Sequence, residues 1–166
     1  MIRNYIAQKN ENPVKKGDIL EIYTDGASRG NPGSAACAYI IVKDGDIIKQ
    51  SSKFIGQATN NTAEYHAIIN ALKDAEKYTR SELKVFSDSE LVIRQINKEY
   101  RIKKTHLSQL CSEVYSLVQK FEKVEFFNVG RENKFIKQAD KLCNDRLDRQ
   151  FGKASKEYKK SNGGDE

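Results

Sequence analysis

The sequence predicts one α/β domain in which a mixed β-sheet is flanked by helices. Two observations predict this class: three strand-like segments follow one another early in the chain, and helix-like and strand-like segments then alternate. The length of 166 residues suits a single domain. Hydrophobic residues make up 38% and charged residues 31% of the chain, which is sufficient for one core beneath a highly charged surface.

The folded part is expected between residues 18 and 151. Residues 1–17 are polar and contain Pro13 and a Lys-Lys-Gly breaker, so they are predicted to be a loose leader, and the lysine-, serine- and glycine-rich residues 152–166 are predicted to be a disordered tail. No apolar run approaches the ~18 residues of a membrane span. The N-terminus lacks the apolar segment of a signal peptide, and the three widely spaced cysteines suit a reducing compartment. A cytoplasmic monomer is therefore expected, and the net charge of +6 favours a polyanionic partner.

Three strand-like segments begin the domain. Residues 19–25 are a short apolar run that ends at Asp25, just before a glycine. Residues 35–43 and 46–55 flank the pair Asp44-Gly45, which is typical of a two-residue hairpin turn. The three segments are therefore predicted to form an antiparallel meander.

The remaining segments alternate between helix and strand. Residues 61–78 carry apolar side chains every three to four positions, and the segment from Thr105 to Phe121 carries the most regular stripe of this kind. Residues 83–88 and 124–129 predict strands four and five, and a last helix follows the polar loop at 130–134. The spacing of Ser87 and Glu90 predicts a capping box at the start of a brief helix. Right-handed crossovers place strand four parallel to strand one.

Four acids are expected at one edge of this sheet. Asp25 closes strand one and Asp88 closes strand four, and parallel neighbouring strands present their carboxyl ends at the same edge. Glu64 and Asp140 lie on the apolar sides of the first and last helices, so they are expected to face inward. Clustered acids repel one another, and oxygen ligands without His or Cys favour Mg²⁺ or Mn²⁺ over zinc. Two such ions about 4 Å apart suit in-line attack on a phosphodiester.

Each acid alone also has an ordinary structural interpretation. Glu64 follows Asn61 at capping-box spacing, and Asp25 precedes a glycine as in many turns. Asp88 suits the N-terminus of the helix that follows it, and Asp140 suits a solvated helix surface. The metal hypothesis therefore depends on the joint geometry of the four carboxylates.

Four segments resemble the motifs of the type 1 ribonuclease H family, in family order. They are residues 23–33 (YTDGASRGNPG), 59–64 (TNNTAE), 86–89 (FSDS) and 139–142 (ADKL). The resemblance covers about residues 18–149 and implies a ribonuclease H-like fold, with a five-stranded mixed sheet of order 3-2-1-4-5 flanked by helices. It also implies endonucleolytic hydrolysis of the RNA strand of RNA/DNA hybrids, which leaves 3′-hydroxyl and 5′-phosphate ends.

The family pattern implies a role for each matching residue. The implied metal ligands, which also act in catalysis with two ions per site, are Asp25, Glu64, Asp88 and Asp140. The implied substrate contacts are Asn31, Thr59, Asn60, Asn61 and Ser89. Many members carry a histidine in the loop before the last helix, where this sequence has Arg131. Because arginine stays charged and does not shuttle protons, Arg131 is expected to hold the scissile phosphate or to help the product leave, with a solvent-exposed loop cation as the alternative.

A basic insertion found in larger members is missing, since only residues 97–104 separate the second and third helices. The candidates for backbone contacts in its place, with a solvated basic face as the alternative, are Arg94, Lys98, Tyr100, Arg101, Lys103 and Lys104. Double-stranded RNA stays open as a second substrate, because both duplexes are near A-form. The rival from another class is a binding module with little catalysis, but an inward-facing cluster of acids gives a pure binder no advantage near phosphates.

Overall fold

The computed structural model describes residues 12–151, which form one sheet with helices on both faces. The strands are β1 (Ile19–Gly30), β2 (Gly33–Lys43), β3 (Asp46–Ala58), β4 (Glu82–Ser87) and β5 (Lys123–Asn128). The helices are α1 (Asn60–Ala75), α2 (Glu90–Ile96), α3 (Thr105–Val118) and α4 (Lys134–Phe151). The strand order is β3-β2-β1-β4-β5, which confirms the predicted mixed sheet.

The pairing directions also agree with the sequence analysis. β1 pairs with β2 and β2 with β3 in antiparallel fashion, whereas β4 runs parallel to both β1 and β5. The turn between β2 and β3 is formed by Asp44 and Gly45, whose φ angles are 50° and 83°. Positive φ at both central residues gives the turn a twist that matches the flanking strands, as the Asp-Gly pair predicts.

The first strand is longer than predicted. Residues 19–25 were expected, but β1 continues to Gly30 because its antiparallel pairing with β2 extends to the Gly30–Gly33 pair. Its parallel pairing with β4 stops much earlier, at Thr24 and Ser87. Asp25 therefore lies inside β1, at the point where its neighbour β4 ends, and does not close the strand.

Two apolar clusters hold the sheet between its helices. On one face, α1, α2 and α3 bury a large cluster that includes Ile22, Leu72 and Val85. On the other face, the smaller cluster joins β1 and β2 to the buried side of α4, which consists of Ile136, Ala139, Cys143 and Leu147. All three cysteines are buried free thiols, as expected from their positions on apolar stripes. None of the helices within residues 12–151 is long and apolar enough to cross a membrane.

Part of the predicted leader packs on the domain. Val14 is buried in the larger cluster, and Asn12 Nδ2 donates a hydrogen bond to the Tyr78 carbonyl oxygen at 2.8 Å. Lys43 Nζ donates to the Pro13 carbonyl oxygen at 2.9 Å. Residues 12–14 of the segment predicted to be a loose leader thus contact the domain through one apolar side chain and two long-range hydrogen bonds. Residues 1–11 and the predicted tail at 152–166 lie outside the described residues.

Candidate active site

Strand register places two acids side by side. Thr24 is aligned with Ser87 in the last pair of β1 and β4, so Asp25 and Asp88 are the next residues on the two strands. Glu64 approaches them from α1. Each of the three acids offers a carboxylate oxygen, and these oxygens all lie within 4.8 Å of one another. The structure therefore brings together three of the four predicted metal ligands at the carboxyl edge of β4.

Glu64 reaches this edge because α1 lies directly against β1 at Gly26. A Cβ atom built on Gly26 would lie 2.3 Å from the Ala63 carbonyl carbon and 2.4 Å from the Glu64 backbone nitrogen. Both atoms are backbone and cannot move aside, so only glycine allows this approach. The Glu64 carboxylate accepts a hydrogen bond from Ser87 Oγ at 3.5 Å and is 7% exposed.

Neither of the two capping boxes suggested by residue spacing, Asn61 with Glu64 and Ser87 with Glu90, is formed. Thr59 is the N-cap of α1, and its hydroxyl accepts a hydrogen bond from the Thr62 backbone N–H at 3.2 Å, while Glu64 is turned toward the sheet edge. In α2 the N-cap is Ser89, whose hydroxyl accepts from the Val92 N–H at 3.4 Å. The predicted capping role of Ser87 is therefore wrong, because this residue still belongs to β4 and its hydroxyl faces the acids.

The buried acids raise one another's affinity for protons. Asp25 is 5% exposed, and its Oδ2 atom has no hydrogen-bond partner among the described residues. Burial, reinforced by the Asp88 and Asp140 carboxylates, raises the pKa of Asp25 to about 8. Burial, followed by the charges of Asp25 and Asp88, raises the pKa of Glu64 well above its ordinary value. Burial also raises the pKa of Asp88, although the nearby Arg131 opposes this effect.

This donor set fits a hard divalent cation. Three carboxylates converge without a histidine or cysteine among them, and a buried carboxylate oxygen of Asp25 lacks a partner within residues 12–151. Oxygen-only ligands of this kind suit Mg²⁺ or Mn²⁺ rather than zinc. A bound cation would favour the ionised form of these carboxylates and would so offset the burial and the mutual repulsion that raise their pKa values.

Asp140 does not face inward as expected. The buried side of α4 includes Ile136, Ala139 and Cys143, and Asp140 lies at its boundary, where the side chain is exposed. Its Oδ1 accepts a hydrogen bond from Asn144 Nδ2 at 3.2 Å. Asp140 nevertheless lines the same cleft as the three buried acids, and this cleft has a volume of about 410 Å³.

Arg131 lies at the open side of this cleft. Its side chain is 90% exposed, and its Nε atom is 3.6 Å from Asp88 Oδ2. The residue is thus both an exposed loop cation, as the simpler interpretation predicts, and a positive group within reach of an acid in the cluster. Ion pairs this exposed contribute little to stability.

The predicted substrate contacts lie on the turn between β1 and β2 and at the starts of α1 and α2. The Asn31 amide oxygen accepts a hydrogen bond from the Asn60 backbone N–H at 3.1 Å, and the Asn60 amide oxygen accepts from the Ser28 N–H at 3.0 Å. Asn60, Asn61 and Ser89 line the cleft. These bonds join β1 and the turn that follows it to the start of α1.

Some of the basic residues in α2 and in the segment after it are engaged within the protein. Arg94 forms ion pairs with Glu90 at 2.9 Å and Glu99 at 3.6 Å, and its guanidinium lies 5.2 Å from the centre of the Tyr100 ring. Lys98 Nζ lies 5.3 Å from the centre of the Tyr115 ring. The side chains at Arg101, Lys103 and Lys104 are exposed.

Sequence reasoning missed several residues of the site, and three of them have an identifiable role. Gly26 allows α1 to lie directly against β1, Ser87 donates a hydrogen bond to Glu64, and Lys137 lines the cleft from α4. A signal for Ser87 exists, since it is a polar residue at an inward position of an apolar strand and is completely buried. Buried polar side chains usually have a specific partner.

The fold and site together define a ribonuclease H-like α/β protein with a carboxylate cluster suited to divalent cations. Residues 23–146 match the family model described as Reverse transcriptase-like. Ribonuclease HI of Halobacterium salinarum is 35% identical over 134 residues, which are 80% of this chain and 66% of that protein. Ribonuclease H of Campylobacter jejuni is 34% identical over 119 residues, which are 69% of this chain and 80% of that protein. The chain therefore belongs to the ribonuclease H family.

Solved structures agree with this assignment. Ribonuclease H1 of Halobacterium salinarum has a TM-score of 0.75 and 34% identity, with 79% of this chain and 98% of that one covered. The LC11 ribonuclease H1 in complex with an RNA/DNA hybrid gives the same values. The chain spans only 35% of the length of its mycobacterial relatives, which include a bifunctional protein of Mycobacterium tuberculosis that is 35% identical over 129 residues, or 76% of this chain.

Proposed function

We propose that this protein is a metal-dependent endonuclease that hydrolyses the RNA strand of RNA/DNA hybrids and leaves 3′-hydroxyl and 5′-phosphate ends. The observation that carries the proposal is the convergence of the Asp25, Glu64 and Asp88 carboxylates within 4.8 Å at the edge of an open cleft. The related LC11 ribonuclease H1 binds an RNA/DNA hybrid, which supports the substrate class.

The buried acids would hold the metal. Asp25, Glu64 and Asp88 are the proposed core ligands for Mg²⁺ or Mn²⁺, and Asp140 from the rim is the proposed additional ligand for a pair of ions. When bound, such ions supply Lewis-acid activation of the attacking water and of the scissile phosphate. The chain's contribution is to present carboxylates that are already close together, so little reorganisation is required when the cations bind.

The substrate contacts in the proposal follow from the hydrogen bonds at the cleft mouth. The amide oxygens of Asn31 and Asn60 are engaged by backbone N–H groups, so the amide NH₂ groups are the parts that can donate to a substrate. Donors on a tight turn suit the wide minor groove of an A-form-like duplex, where 2′-hydroxyls distinguish RNA from DNA. Asn61 and Ser89 line the same cleft.

Arg131 is proposed to act on the phosphate. Its guanidinium is permanently charged and stands at the open side of the cleft near Asp88. A fixed positive charge holds a phosphate oxygen or helps the 5′-phosphate product to leave, but does not accept a proton from water. We therefore assign it to phosphate binding and product release.

A cytoplasmic location and a monomeric state belong to the same proposal. The three cysteines are buried free thiols, which suits a reducing compartment. Light scattering of the purified protein tests the monomer, and a dimeric mass would contradict it.

The decisive experiment compares labelled RNA/DNA hybrid, double-stranded RNA and double-stranded DNA in Mg²⁺, Mn²⁺ or EDTA. We expect cleavage of the hybrid with either cation, no cleavage in EDTA, and products with 3′-hydroxyl and 5′-phosphate ends. Hybrid left intact in both cations would refute the proposal. The double-stranded RNA arm determines whether A-form shape alone is sufficient for cleavage.

A further inference from the structure

The first turn of α4 places a lysine at the cleft. Asn133 caps this helix, because its side-chain oxygen accepts hydrogen bonds from the backbone N–H groups of Phe135 at 2.9 Å and Ile136 at 3.2 Å. Ile136 is 1% exposed within the smaller apolar cluster, and the centres of the Phe135 and Tyr23 rings are 4.8 Å apart. Lys137 directly follows these two anchored residues, and it lines the cleft.

Lys137 differs from the other two lysines of α4 because they are engaged within the protein. Lys134 Nζ lies 4.8 Å from the centre of the Phe135 ring, and Lys141 pairs with Asp145 at 2.6 Å. Lys137 is exposed, and its ammonium group forms neither an ion pair nor a hydrogen bond within residues 12–151. Its three N–H donors are therefore available to a ligand in the cleft.

An acid one turn further along α4 does not neutralise this lysine. Asp140 also lines the cleft, but its Oδ1 accepts a hydrogen bond from Asn144 Nδ2 at 3.2 Å, and no ion pair joins it to Lys137 in the described part of the chain. An ammonium group without an acidic partner, placed at an open cleft, attracts an anion. Lysine commonly binds phosphate in this way, as a compact point charge.

The charged and neutral polar groups of the cleft come from different parts of the chain. Among residues 12–151, the cations that line it are Arg131 and Lys137, from the loop before α4 and from its first turn. The start of α1 contributes the neutral amides of Asn60 and Asn61. An RNA strand likewise carries charged phosphates and neutral 2′-hydroxyls, so the two sets of groups suit different parts of each nucleotide.

We propose that Lys137 binds a non-bridging oxygen of the RNA-strand phosphate next to the scissile one. The inference rests on the proposed function, in which the RNA strand occupies the cleft. The scissile phosphate belongs at the acids, where Arg131 already lies beside Asp88, so Lys137 is left to a neighbouring phosphate. The RNA strand then has its phosphates toward residues 131–137 and its 2′-hydroxyls toward the amides of α1.

The salt dependence of hybrid binding tests this contact. Fluorescence anisotropy is measured in Mg²⁺ at several salt concentrations, with Asp25→Asn present in every protein so that the hybrid is cleaved slowly. We expect Lys137→Gln to weaken binding about three- to tenfold, since one hydrogen bond to a charged group is lost. The plot of log affinity against log salt should become shallower by about the value of one phosphate contact.

Lys141→Gln is the matched control for this measurement. It makes the same change of charge one turn further along α4, at a lysine that pairs with Asp145 and does not line the cleft. Its affinity and salt slope should equal those of the parent protein. Lys137→Arg keeps the positive charge and should restore most of the lost affinity, which a merely structural role of Lys137 would not predict.

Steady-state kinetics with aspartate restored at residue 25 separates Lys137 from Arg131. A contact to a phosphate that does not react is equally strong in the bound substrate and in the transition state, so its loss raises KM at unchanged kcat. Lys137→Gln should therefore raise KM about three- to tenfold and change kcat less than about twofold.

A further binding measurement identifies the strand. Single uncharged methylphosphonate linkages are placed in turn along the RNA or the DNA strand, with a 2′-O-methyl group beside each RNA linkage to keep it chemically stable. One RNA-strand linkage should weaken binding of the Lys141→Gln control about three- to tenfold. The same linkage should cost Lys137→Gln nothing further, because the partner of that phosphate is already removed.

Three results would overturn the proposal: equal salt slopes in Lys137→Gln and Lys141→Gln, a Lys137→Arg variant as weak as Lys137→Gln, or a linkage matched to Lys137 that lies in the DNA strand. Failure of the proposed function has a different signature, because the wild-type protein would then leave the hybrid intact in Mg²⁺ and Mn²⁺, whatever the Lys137 variants bind.

Discussion

The inner and outer halves of the cleft are built in different ways. The inner half consists of Asp25, Glu64 and Asp88, which are fixed by strand register and by the close approach of α1. The outer half consists of Asp140 and Arg131, whose exposed side chains come from α4 and the loop before it. The inner carboxylates have raised pKa values, whereas Arg131 extends into solvent.

Because of this difference, charge changes in the two halves are expected to affect stability differently. Buried like charges destabilise the metal-free fold, so changes in the inner half should affect activity and stability in opposite directions. Exposed charges are screened by water, so changes in the outer half should affect activity with little effect on stability. The following predictions test that contrast, from the largest expected effect to the smallest.

Replacing Asp25 by Asn should produce the largest effect. Activity on the hybrid should fall about 10²–10³-fold, because a carboxylate at the centre of the cluster is lost. The metal-free protein should become more stable by on the order of 2 kcal/mol, because repulsion with Asp88 and Glu64 is relieved. Urea unfolding in EDTA and initial rates in Mg²⁺ measure the two quantities.

The matched control for Asp25→Asn is Asp145→Asn. Asp145 lies on α4 and pairs with Lys141 at 2.6 Å, and the cleft lining does not include it. This control should retain activity and unfold within about 0.5 kcal/mol of the wild type. An Asp25→Asn variant that is fully active, or less stable than the wild type in EDTA, would contradict the contrast between the halves.

The stability of the metal-free protein should depend on pH with a definite sign. The pKa of Asp25 is raised from 3.8 to about 8 by folding, so the unfolded chain releases this proton first as pH rises. The stabilising contribution is therefore complete below about pH 4 and is lost as pH rises toward 8. We expect the free energy of unfolding in EDTA to fall by several kcal/mol over this interval, at about 1.4 kcal/mol for each pH unit.

Two comparisons assign that pH dependence to the cluster. Mg²⁺ or Mn²⁺ at pH 8 should restore the lost stability, since a cation replaces the proton. The slope should be shallower in Asp25→Asn. Equal slopes in the wild type and this variant would show that other groups cause the dependence.

The smallest effects are expected in the outer half. Arg131→Ala and Asp140→Asn should each lower activity about tenfold and change the free energy of unfolding by less than about 0.5 kcal/mol. Arg131→Lys tests whether the positive charge alone is sufficient, because lysine keeps the charge but lacks the planar guanidinium group. Wild-type rates in both Arg131 variants would show that this residue is only a solvent-exposed loop cation with no role in the reaction.

The features that could be predicted from the sequence are those that local residue patterns determine. Alternating apolar residues and the Asp-Gly turn identified the strands, and the right-handed crossover rule made β1 and β4 parallel. With that pairing, Asp25 and Asp88 necessarily lie at the same edge of the sheet. Burial of Glu64 followed from the apolar side of α1.

What the sequence did not predict depends on contacts between distant segments. The end of β1 is set by its pairing with β2, and the exposure of Asp140 is set by how α4 rests on the sheet. The bond between Thr62 and His106 depends on how α1 packs against α3. Ser87 and Ser89 are equally good caps by composition, and only the length of β4 decides between them.

The contact between α1 and β1 has a consequence for protein design. A grafted copy of this carboxylate cluster would need more than the acids alone on a foreign scaffold, because the absence of a side chain at Gly26 lets the Glu64 backbone approach β1. A recipient with alanine there would hold its helix away from the strand, and the glutamate would fall short of its partners. Transplantation should therefore begin with the glycine and add the acids afterwards.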